Sequence, residues 1–425
     1  MTTKKTFLAG LLALSLPLTA IAQAAPAAAP AAAPTADGVK FTPYGFILAN
    51  AFFTGGSMTD QDYPGQATTA VQGGSVLMSA RQSRIGFRLA TKDDWSGADL
   101  AGTLEFDFSG GHTSAVSTAW YNGLMRLRVA SMTASWKTSA GNISVLAGQD
   151  VGIVNTLFAE SLAWVAKPLF WQAGNLWRRS PQFRVSYANN FGDIGFNAAV
   201  ALLSPATSTA VSGPGTTPAV DMGAGNQSRM PNIEARVGAN AKFAQDISAA
   251  IGLGYHQNTR RVNYFSGVGT SNQQDVTGSL IGLDLDLGLT SLLQVKGEFY
   301  TGSGADDTYN AIGAPTYNQA GAPAGTGVKA LKSSGFWAQA IIKPLPWFWV
   351  TAGLGHGEAD KATSANGARI KNDQLAGGLI FNAGKAWRFG VEAAQVKTEF
   401  RGGSATAATT KQDATQVAIS SQLKF

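Results

Sequence analysis

The sequence closes on Gln416-Val417-Ala418-Ile419-Ser420-Ser421-Gln422-Leu423-Lys424-Phe425. Gln416, Ala418, Ser420, Gln422 and Lys424 share one face, while Val417, Ile419, Leu423 and Phe425 share the other. A period of two with one apolar face marks a β-strand. Taken alone, this stretch fits any β protein. The fold is decided by how often the pattern recurs and by what joins its copies.

The pattern recurs throughout. In Asn232 to Phe243, Ile233, Ala235, Val237, Ala239, Ala241 and Phe243 oppose Asn232, Glu234, Arg236, Asn240 and Lys242. In Leu280 to Leu289, a row of Ile281, Leu283, Leu285, Leu287 and Leu289 opposes Asp284 and Asp286. In Leu293 to Tyr300, Leu293, Val295 and Phe299 oppose Gln294, Lys296 and Glu298. Sixteen such segments follow one another: 40–53, 77–91, 100–109, 124–138, 142–152, 179–189, 193–204, 229–243, 247–258, 275–289, 292–302, 332–344, 347–358, 368–382, 386–400 and 411–425. Several exceed the ~5–6 residues of an average soluble strand. They match the ~9–11 residues with which a tilted strand crosses a bilayer.

The connections alternate long and short. Short ones include Ser139-Ala140-Gly141, Ala244-Gln245-Asp246, Thr290-Ser291 and Pro344-Leu345-Pro346. Long ones include 54–76, 110–123, 153–178, 205–228, 259–274 and 303–331. Bacterial barrels segregate short periplasmic turns from long external loops in this way. An even strand count leaves both chain ends on the periplasmic side. In lipid an open sheet edge leaves backbone groups unpaired, so the first and last strands must meet. The last strand is expected to pair around Tyr44-Gly45-Phe46. Phe41, Tyr44, Trp136, Trp347, Trp349, Trp387 and Phe425 are expected to form interfacial girdles. The expectation is therefore an all-β fold: a 16-stranded antiparallel transmembrane β-barrel over 39–425.

Composition agrees. Glycine is abundant at 50 residues, charged residues are sparse at 14%, and 45% of the chain is apolar. Beyond the N-terminus no run approaches the ~20 apolar residues of a membrane helix. Residues 1–24 read as a cleaved export signal, with Lys4 and Lys5 ahead of the apolar Phe7 to Leu18 and small residues near Ala22 and Ala24. Residues 25–38 are Ala/Pro-rich and read as an extended periplasmic linker. With no cysteine, disulfides, thiolate metal sites and covalent haem are excluded. His112, His256 and His356 lack metal-ligand spacing, so no metal or other cofactor is expected. The small basic excess gives no argument for nucleic acid.

The polar face carries the chemistry. With Ile85, Phe87 and Leu89 outward, Gln82, Arg84 and Arg88 point inward. Leu127 and Val129 outward place Arg126 and Arg128 inward, and Phe183, Val185 and Tyr187 outward place Arg184 inward. Arginine at mid-depth on the lipid face costs about 2–4 kcal/mol, which decides this orientation. Arg81 has the outward parity. Glu105 and Asp107 share the polar face of the third strand, and Asp150 and Glu160 lie at or within the following loop. Basic residues Arg84, Arg88, Arg126, Arg128 and Arg184 facing acidic Glu105, Asp107, Asp150 and Glu160 would set a transverse field across a pore. Alternatively, Arg84, Arg88, Glu105 and Asp107 pair with one another across strands. The third long loop carries Leu157, Phe158, Leu162, Trp164, Leu169, Phe170, Trp171 and Trp177. That apolar content needs burial, so the loop is expected to fold inward. Loops 205–228 and 303–331, rich in Gly, Ala, Pro, Thr and Asn, suit solvent.

Several motifs resemble the DcaP-like trimeric porins of Gram-negative outer membranes: Arg81-Gln82-Ser83-Arg84-Ile85-Gly86-Phe87-Arg88, Leu104-Glu105-Phe106-Asp107-Phe108, Arg126-Leu127-Arg128, Ala147-Gly148-Gln149 and Arg179-Ser180-Pro181-Gln182-Phe183-Arg184-Val185-Ser186-Tyr187. The likeness covers about residues 40–200 in motif detail and rests on architecture beyond. It implies a homotrimer, set among outer-membrane lipid and lipopolysaccharide, through which small anionic or polar solutes such as carboxylates diffuse. Two departures stand: the extension has no heptads, and Asp150-Val151-Gly152 follows Gly148-Gln149 where an aromatic is expected. Two other functions compete with the porin. A structural anchor or adhesin would have a blocked lumen. A barrel hydrolase would need a Ser/His or Asp/His constellation, and the scattered histidines offer none, so no enzyme is expected.

Overall fold

Apolar residues at every second position can be buried on one face only if the chain extends, and from Lys40 onward it does. The computed structural model describes residues 38–425 apart from 69–72, 93–95, 112–122, 206–222, 245, 266–270, 306–308, 310, 319–326 and 404–407. The expected signal (1–24), nearly all of the linker (25–38) and His112 lie outside the described residues.

The described strands are β1 (Lys40–Gly55), β2 (Met58–Asp60), β3 (Tyr63–Ala67), β4 (Ser75–Ser79), β5 (Arg84–Lys92), β6 (Asp99–Asp107), β7 (Arg126–Thr138), β8 (Gly141–Val151), β9 (Arg179–Phe191), β10 (Ile194–Leu203), β11 (Asn232–Ala244), β12 (Ile247–Phe265), β13 (Ser271–Gly288), β14 (Leu293–Ser303), β15 (Thr316–Asn318), β16 (Val328–Ala330), β17 (Lys332–Leu345), β18 (Phe348–Ala359), β19 (Arg369–Ala383), β20 (Trp387–Phe400) and β21 (Thr410–Lys424). The pairs β2–β3 and β15–β16 stand apart from the wall. β4 and β5 are two halves of one wall strand, interrupted at 80–83 rather than running through as the sequence pattern predicts. The wall therefore has sixteen strands.

Each wall strand pairs antiparallel with the next, and the ring closes at β1. Phe46 stands opposite Lys424 of β21 on one side and Arg84 of β5 on the other. Gly45 and Phe425 exchange backbone hydrogen bonds at 3.1 and 3.2 Å. No open edge is left along the closure, as lipid demands.

Polarity is inverted relative to a soluble protein. Val237, Leu253, Leu283, Phe299 and Phe336 form one cross-strand row over five strands, and all are exposed. One residue out of phase, Asp284, Glu298 and Trp337 form an inner row and are buried. Trp347, Trp387, Phe191, Phe243 and Phe425 lie exposed near the short turns, the place of an interfacial girdle. Tyr44 and Trp349 do not join them. Tyr44 donates to Glu105 inside the barrel, and Trp349 lies against Lys343 and Arg388. Both have the inward parity, and cations there hold their rings.

Three expected loops behave differently. The 259–274 connection is mostly strand, because β12 and β13 continue their pairing to Phe265↔Ser271. The first long loop turns inward: all of β3, Tyr63–Ala67, is buried. The 303–331 connection also packs inward at Tyr309, Ala311 and Ile312, all nearly inaccessible, although its composition suits solvent.

Candidate functional site

A loop that enters a barrel must find partners for its backbone N–H groups, and here the wall supplies them. Residues 152–178 cross the interior as the third long loop. Ile153 N donates to Glu234 Oε2 of β11 at 2.8 Å, and Leu157 N donates to Glu298 Oε1 of β14 at 3.0 Å. Glu160 and Gln339 of β17 exchange two bonds: Glu160 N to Oε1 at 2.7 Å, and Nε2 to Glu160 O at 2.8 Å. Leu162 N and Ala163 N both donate to Glu392 Oε2 of β20, at 2.9 and 2.6 Å. Val165 N and Ala166 N share Gln82 Oε1. Trp164, Leu169 and Phe170 are buried against Phe52, Trp337, Ala394 and Ala418 of the wall.

Glycine opens the wall where the loop presses closest. A Cβ on Gly254 would meet Val154 O at 2.2 Å, and one on Gly355 would meet Ala173 O at 2.3 Å. The first loop lies against this layer, with Gln374 Nε2 donating to Pro64 O at 3.0 Å and Asn372 Nδ2 to Gly65 O at 2.9 Å. The Tyr63 hydroxyl donates to Lys167 O. From the 303–331 connection, Tyr309 OH donates to Glu234 Oε1 at 2.5 Å. Burial, and next the Glu234 charge, hold that phenol well above its ordinary pKa, so it stays a donor.

Facing the loop stands the arginine cluster. Arg126 forks onto Asp107, Nε to Oδ1 at 2.9 Å and Nη2 to Oδ2 at 2.5 Å. Arg128 bridges Glu105 Oε1 and Asp107 Oδ2, both at 2.7 Å. A register step in β7 makes this possible. Glu105 pairs with Val129 and Phe106 with Leu127, so Arg128 and Val129 together oppose Glu105. A β-bulge of this kind re-aims side chains. It also takes Val129 out of the outward set that simple alternation gives it. Arg84 Nε reaches Glu105 at 3.7 Å, and its Nη2 donates to Val165 O at 3.0 Å. Arg126 Nη2 donates to Ala166 O at 2.8 Å.

The other sequence candidates are placed as follows. Arg184 binds Asp150 at 2.7 Å. Arg88 is exposed over the Tyr44 ring at 4.2 Å. Glu160, on the loop, lies 3.3 Å from Arg388 of β20. Arg81 does not face lipid; in the break between β4 and β5 it binds Asp62 of the first loop at 2.5 Å.

Sequence reasoning missed two groups. Arg179, at the start of β9, lies over Trp177 at 4.8 Å. No carboxylate lies within ion-pair distance of it among the described residues. Arg236 of β11 forks onto Asp284, at 2.5 and 2.8 Å. Inward parity was readable for Arg236. For Arg179 the signal was only its place at a strand start beside the loop. His256 contacts Glu234 at 3.0 Å, and His356 contacts Asp373 at 2.7 Å.

No protein-family model and no curated protein matches the chain. Among solved structures it is similar to the outer membrane channel DcaP of Acinetobacter baumannii, at 17% identity and a TM-score of 0.67, over 93% of this chain and 100% of that one. The two share a β-barrel fold. An anion-selective porin from Comamonas acidovorans is similar at 15% identity and a TM-score of 0.53, over 91% of this chain and 100% of that one. OmpT of Vibrio cholerae, in a trimer form, is similar at 14% identity and 0.52, over 92% and 100%. At these identities the likeness speaks for fold.

Proposed function

We propose that this chain is an outer-membrane porin through which small hydrophilic solutes diffuse, with a preference for anions such as carboxylates. One observation carries the preference. Among the described residues, Arg84, Arg126 and Arg128 gather around two carboxylates, Glu105 and Asp107, and Arg179 shares the Trp177 ring with Arg126. Two positive charges remain, and Arg179 is held by an indole, which orients a cation without neutralising it. In a narrow, partly desolvated passage such an excess attracts anions and repels cations. Arg88 and the Arg184–Asp150 pair extend the polar lining, with Glu160 on the loop side.

The similar DcaP and Comamonas proteins, described as an outer membrane channel and an anion-selective porin, support this reading. The trimer form of the Vibrio protein supports a homotrimer. Export through a cleaved signal at 1–24, a linker at 25–38 and contact with lipopolysaccharide belong to the same proposal. A second reading, an anchor with a blocked lumen, rests on the three connections that enter the barrel. Planar-bilayer recording separates the two. The porin gives discrete conductance steps with an anion-directed reversal potential in a salt gradient. Silent barrels would favour the anchor, and a cation-directed potential would remove the anion preference.

A further inference from the structure

A second group of cations lies away from the arginine cluster, close to the short turns. Lys343, near the end of β17, and Arg388, at the start of β20, both sit over the Trp349 ring, at 4.8 and 5.1 Å. Arg388 is only 9% exposed. Its Nε donates to Asn382 Oδ1 at 2.9 Å, and its Nη2 makes a long 3.3 Å contact with Glu160 Oε1. Among the described residues Nη1 has no acceptor. Lys343 Nζ has one long bond, to Gln294 Oε1 at 3.4 Å. Lys424 of β21 completes the group: it lies two residues beyond Gln422, which stands opposite Arg388 in the strand pairing.

Among the described residues, the one ion pair made by these three cations is Arg388–Glu160, and that carboxylate is itself 31% exposed. A buried arginine is ordinarily paired, because desolvation penalises a charge without a partner. Trp349 fixes two of these cations but leaves their charge intact. The free edge of a guanidinium fits a carboxylate, and ammonium groups beside it can take a second one. We propose that Arg388, Lys343 and Lys424 form a second anion-binding step at the short-turn end of the passage, suited to a carboxylate group, with Glu160 of the inner loop as the competing internal anion.

The inference rests on the porin reading, and one experiment separates their failures. Barrels in planar bilayers are titrated with sodium succinate, and the concentration giving half-maximal conductance is read. Lys343→Met combined with Lys424→Met raises it roughly five-fold, the scale of partly exposed ion pairs. Glu160→Gln lowers it, because the internal competitor is gone while the backbone bonds to Gln339 remain. Unchanged half-saturation in both variants overturns the second site while leaving the porin intact. A wild-type barrel that carries no succinate current overturns both. Should the double variant fail to assemble, the direction of the Glu160→Gln shift decides alone.

Discussion

Trp164 Nε1 donates to Gln416 Oε1 at 3.0 Å, joining the centre of the inner loop to the inward face of the last strand. Gln416 in turn reaches Thr54 Oγ1 and Gln61 O through its Nε2. One amide thereby ties the third loop, the first loop and the barrel closure together. Trp164 is 2% exposed, so it contributes both a hydrogen bond and a large buried surface. Trp164→Ala should cost about 3–5 kcal/mol. The loop should leave the wall, and single-channel conductance should rise. A wild-type conductance in a folded variant would show that the loop does not limit the passage.

Glu392 serves two adjacent loop amides with a single oxygen. Glu392→Gln keeps an acceptor and should leave conductance near wild type. Glu392→Ala strands two buried N–H groups, at about 1–3 kcal/mol each. It should lower the heat-denaturation midpoint of the barrel and add current noise. Equal midpoints for the two variants would argue against the anchoring role.

Asp107 holds two guanidinium groups at once with a single negative charge. Asp107→Asn should release Arg126, leave Arg128 on Glu105 alone, and move the reversal potential further toward the anion value. Arg126→Ala should move it less than Arg179→Ala, because Arg126 already has a carboxylate partner and Arg179 has none among the described residues. The opposite ranking of the two arginines would contradict the charge balance proposed for the cluster.

On the outer wall, Leu283→Arg should destabilise the barrel by about 2–4 kcal/mol. Denaturant titration of folding into liposomes checks the value. A negligible cost would mean that this row does not meet lipid.

Inside, Gly355→Val places side-chain atoms where Ala173 O now sits. Overpacking of this kind costs about 1–3 kcal/mol, and the loop should shift. Protease cleavage within 152–178 of the assembled barrel, slow in wild type, should accelerate.

The strand pattern and the loop alternation were legible in the sequence because both come from local physics. A strand in lipid must alternate, and a turn between adjacent strands can be short on only one side of the membrane. Hence Phe46↔Lys424 could be expected from the residues around Tyr44 and from Gln416 to Phe425. The inward loop was legible too, since Trp164, Phe170 and their neighbours need burial. The inward parity of Arg84, Arg126 and Arg184 followed from the cost of arginine in lipid.

Tertiary structure alone decided how those inward groups are used. Glu234 and Glu298 read as residues of a polar strand face, but they and Glu392 hold loop amides, because only the folded loop brings its backbone donors to them. The bulge at Arg128 and Val129 depends on pairing with Glu105, and no periodicity in β7 announces it. The burial of Tyr63 and Tyr309 comes from packing against the third loop, which their own composition cannot encode. The sequence by itself therefore determined the wall, whose two faces answer to lipid and water. The charge balance inside was decided by which side chains, some more than two hundred residues apart, the closed barrel brings within hydrogen-bond reach.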